Sequence, residues 1–574
     1  MNNFERSKVF PIICISSILV IAAIIAIAAI AFPAASSDAP DSSLKNVELQ
    51  VIAFNDFHGQ IEPPSGKVTV YYNSTLDPFK VEAGGAAYLA TQIKALEATN
   101  PNTVIVSAGD CISASPMVSA LFHDEPTVEV LSEIGLDYSA AGNHEFDKGV
   151  LELQRMQYGC CNAVDGCQDG DRFVGAGYYY LAANVINNST NSTLFAPYKI
   201  RDIEGIPVAF VGASLKDTPT VVTPSGIEGY TFLDEADSIN AAVRDLKAKG
   251  VKTIIVLIHD GGTQEGLPSE SKNLSGTIID IVKRIDKEVD VIVTGHTHQC
   301  YVANIDGRIV TQAGSQGKFL TDIDLILNRS TGDVVFARAK NIAVTRDLPA
   351  DAEVSETIDK YEELADPMAE KTIGSITADI TREQSGSGES SLGDVVADTQ
   401  LYASRGEGTV VAFMNRGGIR TDLYYNSSNG KNPDNVTYGE AFSIQPFSNS
   451  IIALNLTGKE IDQLLESQFD NPSKGQNSIL QVSSGFSYSW KKGAPTGQKV
   501  DISTIKINGT AVDPDGSYRV AANGFLADGG DNFTVFRAGT NRVCMGTDLD
   551  GFIEYFEKFS PVSPGPKNRI AVAA

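Results

Sequence analysis

Apolar positions along this chain come in two rhythms. Short runs read as strands, and between them lie longer segments with helical spacing. Residues 47–54 (ValGluLeuGlnValIleAlaPhe) begin with alternation and become wholly apolar, as a central strand buried on both faces does. Residues 85–99 follow with an apolar stripe at helical spacing. The same analysis predicts strands over 103–108, 138–141, 207–213, 253–258 and 290–294, with helices over 127–134, 235–249 and 275–284. Residues 302–314 read as a sheet-edge hairpin, and 320–327 as a return strand. Alternating strand and helix predicts a layered α/β domain. Residues 353–368 are highly charged with a sparse apolar stripe, and read as a helix connecting two domains. From about residue 374 the chain is richer in Gly, Asn and Ser, with helices predicted over 391–404 and 457–469. A length of 574 residues exceeds what one core organises, which agrees with two domains.

Five of the predicted strands end in a similar way. Their ends carry Asp56-Phe57-His58, Gly109-Asp110, Gly142-Asn143-His144, His259-Asp260 and Gly295-His296-Thr297-His298. In α/β sheets, groups that bind ligands lie just beyond the carboxyl ends of strands. The chain has six histidines, and five of them stand in these motifs; His123 is the exception and reads as structural. Imidazole mixed with carboxylate suits zinc, manganese, cobalt or iron. Two divalent cations ~3.5–4 Å apart need a shared anion, which one Asp carboxylate supplies. Glycines beside the donors let the backbone turn sharply. The densest stretch, 142–147, places an amide, an imidazole and two carboxylates within a few residues.

Composition changes the picture in three ways. Hydrophobic residues make up 42% and charged residues 20%, values of a globular protein. A formal net charge of -26 opposes binding of a nucleic-acid polymer, whose phosphates it cannot neutralise. An uncharged run over 9–32, preceded by Arg6 and Lys8 and followed by Pro33-Ala34-Ala35, predicts export. Segment 1–35 is either a cleaved signal or an uncleaved membrane-anchoring helix, and 36–46 reads as a polar stalk. The body is then secreted or held on the extracellular face of the membrane. Eleven Asn-x-Ser/Thr sequons agree with a glycosylated exterior. Cys111, Cys160, Cys161, Cys167, Cys300 and Cys544 allow up to three disulfides, with a local bridge expected among Cys160, Cys161 and Cys167.

As an ordered set, AspPheHisGly, GlyAsp, GlyAsnHisGlu, HisAsp and GlyHisThrHis resemble the motifs of calcineurin-like metallophosphoesterases. With the second domain included, residues 47–571 resemble the 5'-nucleotidase family, which includes ecto-5'-nucleotidases, apyrases and UDP-sugar hydrolases. The resemblance implies a four-layer α/β/β/α domain over 47–345, a linker helix within 346–373 and an α/β substrate domain over 374–574. It implies two divalent metal ions, zinc foremost, with manganese, cobalt or magnesium as alternatives. Asp56 and His58 would bind the first and Asn143, His259 and His296 the second, with Asp110 bridging. His298 would complete the first site, where many nucleotidases carry an amide. His144 would contact the phosphate and stabilise the transition state, and Asp147 would orient it. Their i, i+3 spacing puts both on one side of a starting turn. Glu145 receives no role.

In the second domain, Asn415-Arg416-Gly417-Gly418-Ile419-Arg420 is a Gly-rich turn flanked by guanidiniums, which suit phosphate and carboxylate. By the resemblance, Arg382, Asn415 and Arg420 bind substrate, Phe447 and Phe525 sandwich a nucleobase, and Asp531 contacts ribose. The family also rotates its second domain onto the first, which makes 353–368 the expected hinge region. The expected activity is release of phosphate from nucleoside 5'-monophosphates by metal-activated hydroxide. Apyrase or UDP-sugar hydrolase activity remains open beside it, and a non-catalytic surface binding protein is a third reading.

Overall fold

The computed structural model describes residues 46–64, 67–70, 78–425, 434–447, 449–472 and 474–573. The apolar run over 9–32 and residues 36–45 of the stalk lie outside these residues, and Asn46 already belongs to the first strand. No helix among the described residues is long and apolar enough to cross a membrane.

The first domain is built on two stacked six-stranded sheets. Asn46–Phe54 lies inside the first, between Thr103–Ser107, to which it is parallel, and Phe319–Asn328, to which it is antiparallel. Its side chains divide with the period of two that a strand imposes. Val47, Leu49, Val51 and Ala53 enter the core between the sheets, whereas Ile52 and Phe54 enter the core beneath the helices. Thr253–Ile258 does the same in the second sheet: Ile255 and Leu257 face the first sheet, and Ile254, Val256 and Ile258 face helices. That double burial is why both strands read as unbroken apolar runs. Helices Ala86–Glu97 and Glu125–Ile134 cover one outer face, and Glu235–Ala248 and Thr277–Arg284 cover the other. The four-layer α/β/β/α order is therefore as expected.

The hairpin Cys300–Ile305 and Arg308–Ala313 stands at the edge of the second sheet, and the return strand is Phe319–Asn328, which crosses to the first sheet and pairs beside Asn46–Phe54. On that side the edge is Val334–Ala343, a mostly exposed strand whose apolar residues do not alternate with polar ones as a half-buried strand's do. The expected connector is Ala352–Ala369, and its body is not free to act as a hinge. Val354, Ile358, Tyr361 and Ala365 are buried in the helix-side core of the first domain. The Tyr361 ring lies 4.9 Å from that of Phe122, and its hydroxyl donates to Glu129 at 2.8 Å and Asp169 at 3.0 Å.

The second domain is a five-stranded mixed sheet flanked by helices Ser391–Ala403 and Asp548–Phe559 in one core and Gly458–Glu466 in another. Met117, from the first domain, packs into the former core. Of the expected disulfides the structure shows Cys161–Cys167; Cys111, Cys160, Cys300 and Cys544 are free.

Candidate active site

The strand-end motifs converge. Asp56, His58, Asp110, Asn143 and His259 are all buried around one point, with His296 partly buried and His298 the exposed member. The donor atoms of Asp56, His58 and His298 lie within 4.8 Å of one another, as do those of Asp110, His259 and His296. Asp110 Oδ2 stands between the two groups, 3.0 Å from His259 Nε2 and 3.9 Å from His58 Nε2. Five of the donors reach this point only through left-handed backbone, with φ of +49° at Asp56, +51° at His58, +52° at Asp110, +70° at His296 and +54° at His298. Each such non-glycine position costs ~1–3 kcal/mol, and strain of this kind collects at functional sites. Gly142 lets two of the loops meet, since a Cβ there would stand 2.2 Å from Asp110 Oδ1.

The imidazoles are oriented from behind. The Nδ1 of His58 faces the Ser113 carbonyl at 3.1 Å, and that of His259 faces the Ala108 carbonyl at 2.8 Å. A carbonyl only accepts, so each Nδ1 carries the proton and each ring directs its Nε2 inward. There His259 Nε2 meets two acceptors, Asp110 Oδ2 at 3.0 Å and Asn143 Oδ1 at 3.1 Å, and His58 Nε2 meets His298 Nε2 at 3.1 Å. Acceptors and ring nitrogens crowded on one point demand positive charge, whether from a proton or from a cation. Burial alone would lower the His259 pKa, yet Asp110 drives it up to about 10. Burial likewise works to raise Asp110, yet His259 and His144 hold it well below the usual carboxylate range. The donor set fits a pair of divalent cations, which would meet that demand without protonating the ligands.

The turn after Asn143 adds a second layer. His144 donates its backbone N–H to Asp110 Oδ1 at 2.8 Å and pairs its Nδ1 with Asp147 Oδ2 at 2.7 Å. Ser113 Oγ donates to the same Asp147 oxygen at 2.9 Å. Burial opposes charge on His144, but Asp147 and Asp110 raise its pKa. Glu145 does have a task. Its Oε2 accepts from the N–H groups of Asp110 at 2.8 Å and Gly142 at 2.6 Å, and its Oε1 accepts from Cys111 N–H at 2.7 Å. It pins the loop of the bridging aspartate to the loop of Asn143. No local pattern signals this, because the three partners come from two segments of the chain. Ser113, which supports both His58 and Asp147, was missed for the same reason.

The second domain closes the site. Phe447 stacks on His144, with centroids 5.8 Å apart and planes within 11°. The Arg420 guanidinium lies 5.8 Å from the centre of the Phe447 ring. Asn523 Nδ2 donates to Asn415 Oδ1 at 2.9 Å, and Asn415 Nδ2 donates to Asp531 Oδ2 at 2.8 Å, so a row of amides fixes that carboxylate. Asn143, His144, Asp147 and His296 of the first domain share a cavity of about 210 Å³ with Asn415, Arg420, Phe447, Phe525 and Asp531 of the second. Arg382 does not border this cavity; with Asn415, Arg420 and Asp531 it lines an adjoining one of about 720 Å³, where it binds Asp422 through Nε at 3.1 Å. A larger cavity of about 1000 Å³ lies elsewhere, against Phe79, Leu267 and Phe319, and none of the expected site residues borders it.

Residues 49–300 match the family model for calcineurin-like phosphoesterases, and 371–538 match that for the 5'-nucleotidase C-terminal domain. The chain belongs to the 5'-nucleotidase family of metallophosphoesterases. Members of this family are metal-dependent phosphoester hydrolases, and this chain is one. The 5'-nucleotidase precursor of Thermus thermophilus superimposes with a TM-score of 0.74 at 26% identity, covering 92% of this chain and 99% of that one. Endonuclease YhcR of Bacillus subtilis is 32% identical over 554 residues, but the chain spans only 43% of its length. Cell wall protein Lmo0130 of Listeria monocytogenes is 29% identical over 571 residues, 94% of this chain and 70% of that one.

Proposed function

We propose that this 5'-nucleotidase family member is an extracellular dinuclear-metal phosphohydrolase that releases phosphate from nucleoside 5'-monophosphates. The observation that carries the reading is the composite cavity, in which His144 and the donor cluster face Phe447, Phe525, Asn415 and Asp531 across about 210 Å³. Asp56, His58 and His298 would hold one cation, and Asn143, His259 and His296 the other, with Asp110 shared. When bound, such a pair supplies Lewis acidity toward a phosphoryl group and activates water for in-line attack.

The remaining work falls to side chains. With Nδ1 occupied by Asp147, the other ring nitrogen of His144 is the one free to donate to a phosphoryl oxygen. The raised pKa keeps that proton in place. Arg420, desolvated at the same cavity, adds a planar cation matched to phosphate. Phe447 and Phe525 offer aromatic faces to a nucleobase, a contact worth ~1–3 kcal/mol that tolerates different bases. Asp531, held by Asn415, accepts from ribose hydroxyls. The apolar run over 9–32, the sequons and the similarity to a cell wall protein support an exported location.

A second reading, hydrolysis of nucleoside di- or triphosphates or of UDP-sugars, draws on the adjoining 720 Å³ cavity, which has room for a longer substrate. The complete donor set speaks against a non-catalytic binding protein. The net charge of -26 speaks against polymeric DNA or RNA, despite the endonuclease among the relatives. Phosphate release from AMP, ADP, ATP and UDP-glucose, with and without a chelator, separates these readings. AMP should be the best substrate and the chelator should abolish release. Equal release with chelator would overturn the metal-dependent reading.

A further inference from the structure

The inner cavity does not stand alone. Sites for small molecules span ~300–1,000 Å³, and the inner cavity holds about 210 Å³. The adjoining cavity of about 720 Å³ shares Val221, Asn415, Gly417, Arg420 and Asp531 with it. Asp531 is the hub of the common wall. Its carboxylate takes the Asn415 amide at 2.8 Å, and its backbone carbonyl takes the amide of Asn471, a residue of the outer cavity, at 2.8 Å. A ribose seated on Asp531 with its 5'-phosphate toward His144 therefore turns its 2' and 3' positions toward the outer cavity.

That cavity is lined by three arginines of unequal freedom. Arg382 is committed to Asp422 and, through Nη1, to the Arg420 carbonyl at 2.6 Å. Arg420 belongs to both cavities and is desolvated between them. Arg416 is exposed, and among the described residues its guanidinium makes no hydrogen bond or ion pair. Of the carboxylates on the same wall, Asp422 is taken by Arg382 and Asp531 by Asn415, leaving the exposed Glu383. A guanidinium presents a rigid fork of donors that matches phosphate. Thr381, Asn477 and Ser478 add neutral polar groups to the same wall.

We infer that Arg416 is a specificity determinant for nucleotides that carry a second phosphate on the ribose, as nucleoside 3',5'-bisphosphates do. The 5'-phosphate enters the inner cavity and the 3'-phosphate meets Arg416 in the outer one. The inference rests on the nucleotide reading of the site, but it concerns a residue that reading does not use.

Titration calorimetry of the full chain with AMP, ADP and adenosine 3',5'-bisphosphate tests it. The bisphosphate should bind about tenfold more tightly than AMP. Arg416→Ala should bring that ratio close to one, and Arg416→Lys should restore part of it, since a point charge replaces the fork. A wild-type ratio of one or below, or a ratio unchanged in Arg416→Ala, would overturn the inference. An equal dependence of ADP binding on Arg416 would overturn the ribose-side placement, because ADP carries its second phosphate on the 5' chain. Phosphate release from AMP is read separately. A chain that keeps the Arg416-dependent ratio but releases no phosphate refutes the proposed hydrolysis and leaves this inference standing.

Discussion

At the scale of the residue, the neighbours His144 and Glu145 do opposite kinds of work. His144 faces the cavity, and its side chain pairs with Asp147. Its replacement by Ala should leave metal content intact while kcat falls ~10²–10³-fold, the usual loss of a positioned charge. Glu145 faces inward and accepts from three backbone N–H groups. Buried N–H groups left without an acceptor cost ~1–3 kcal/mol each. Glu145→Ala should therefore lower unfolding stability by roughly 3 kcal/mol or more and reduce bound metal as well. Denaturant unfolding, metal analysis and phosphate release on both variants check the division. A Glu145→Ala protein that keeps full stability and metal would show that the loops hold without it. The family resemblance already set His144 apart from Glu145, but the structural task of Glu145 was not legible, because it depends on which way that side chain points.

At the scale of the element, the linker shows how far periodicity reaches. Its apolar stripe predicts a helix, and Ala352–Ala369 is one, with Asp351 capping it by accepting from Val354 N–H at 3.3 Å. The stripe does not say which domain it packs on. The structure shows Val354, Ile358, Tyr361 and Ala365 in the first domain's core, so the body of the helix belongs to that domain. Tyr361→Ala should cost ~3–5 kcal/mol through the cavity it leaves and should lower the unfolding midpoint of the first domain. An unchanged midpoint would mean that the helix is only loosely docked. The edge strand Val334–Ala343 is the converse case: it pairs with Phe319–Asn328 along its length, although its apolar residues follow no alternation that would mark a buried face.

At the scale of the whole molecule, the acidity has a consequence for stability. Asp548 is buried and its pKa is pushed up to about 7 by that burial, against the Leu549 N–H that its carboxylate accepts at 3.0 Å. Burial pushes Asp290 up to about 7 as well, against the N–H of Ile254 at 2.9 Å. Both lie outside the metal cluster. Their folded pKa values exceed the unfolded value of ~3.9, so between these limits the folded chain binds more protons than the unfolded one. Their contribution is most favourable below pH ~4 and declines until pH 7, where it levels off. Unfolding free energy should thus be greater at pH 5 than at pH 8, and Asp548→Asn should shrink the difference. A larger value at pH 8, or no change in the variant, would contradict the assignment. The net charge of -26 acts in the same direction, since acid relieves part of the repulsion.

The sequence by itself determined the strand ends and singled out the histidines and aspartates that the structure gathers into one donor cluster. A doubly buried strand is apolar throughout, so the polar groups just beyond its end stand out against it. It also determined the two-domain order, since a shift in composition and a charged helix mark the boundary. Only the tertiary structure decided what joins distant segments. It showed Glu145 pinning the Asp110 loop, Ser113 supporting His58 and Asp147, Phe447 laid against His144, and Arg382 drawn away to Asp422. Period and motif record which face a residue presents; they carry nothing about which remote backbone N–H, carbonyl or ring will meet it there.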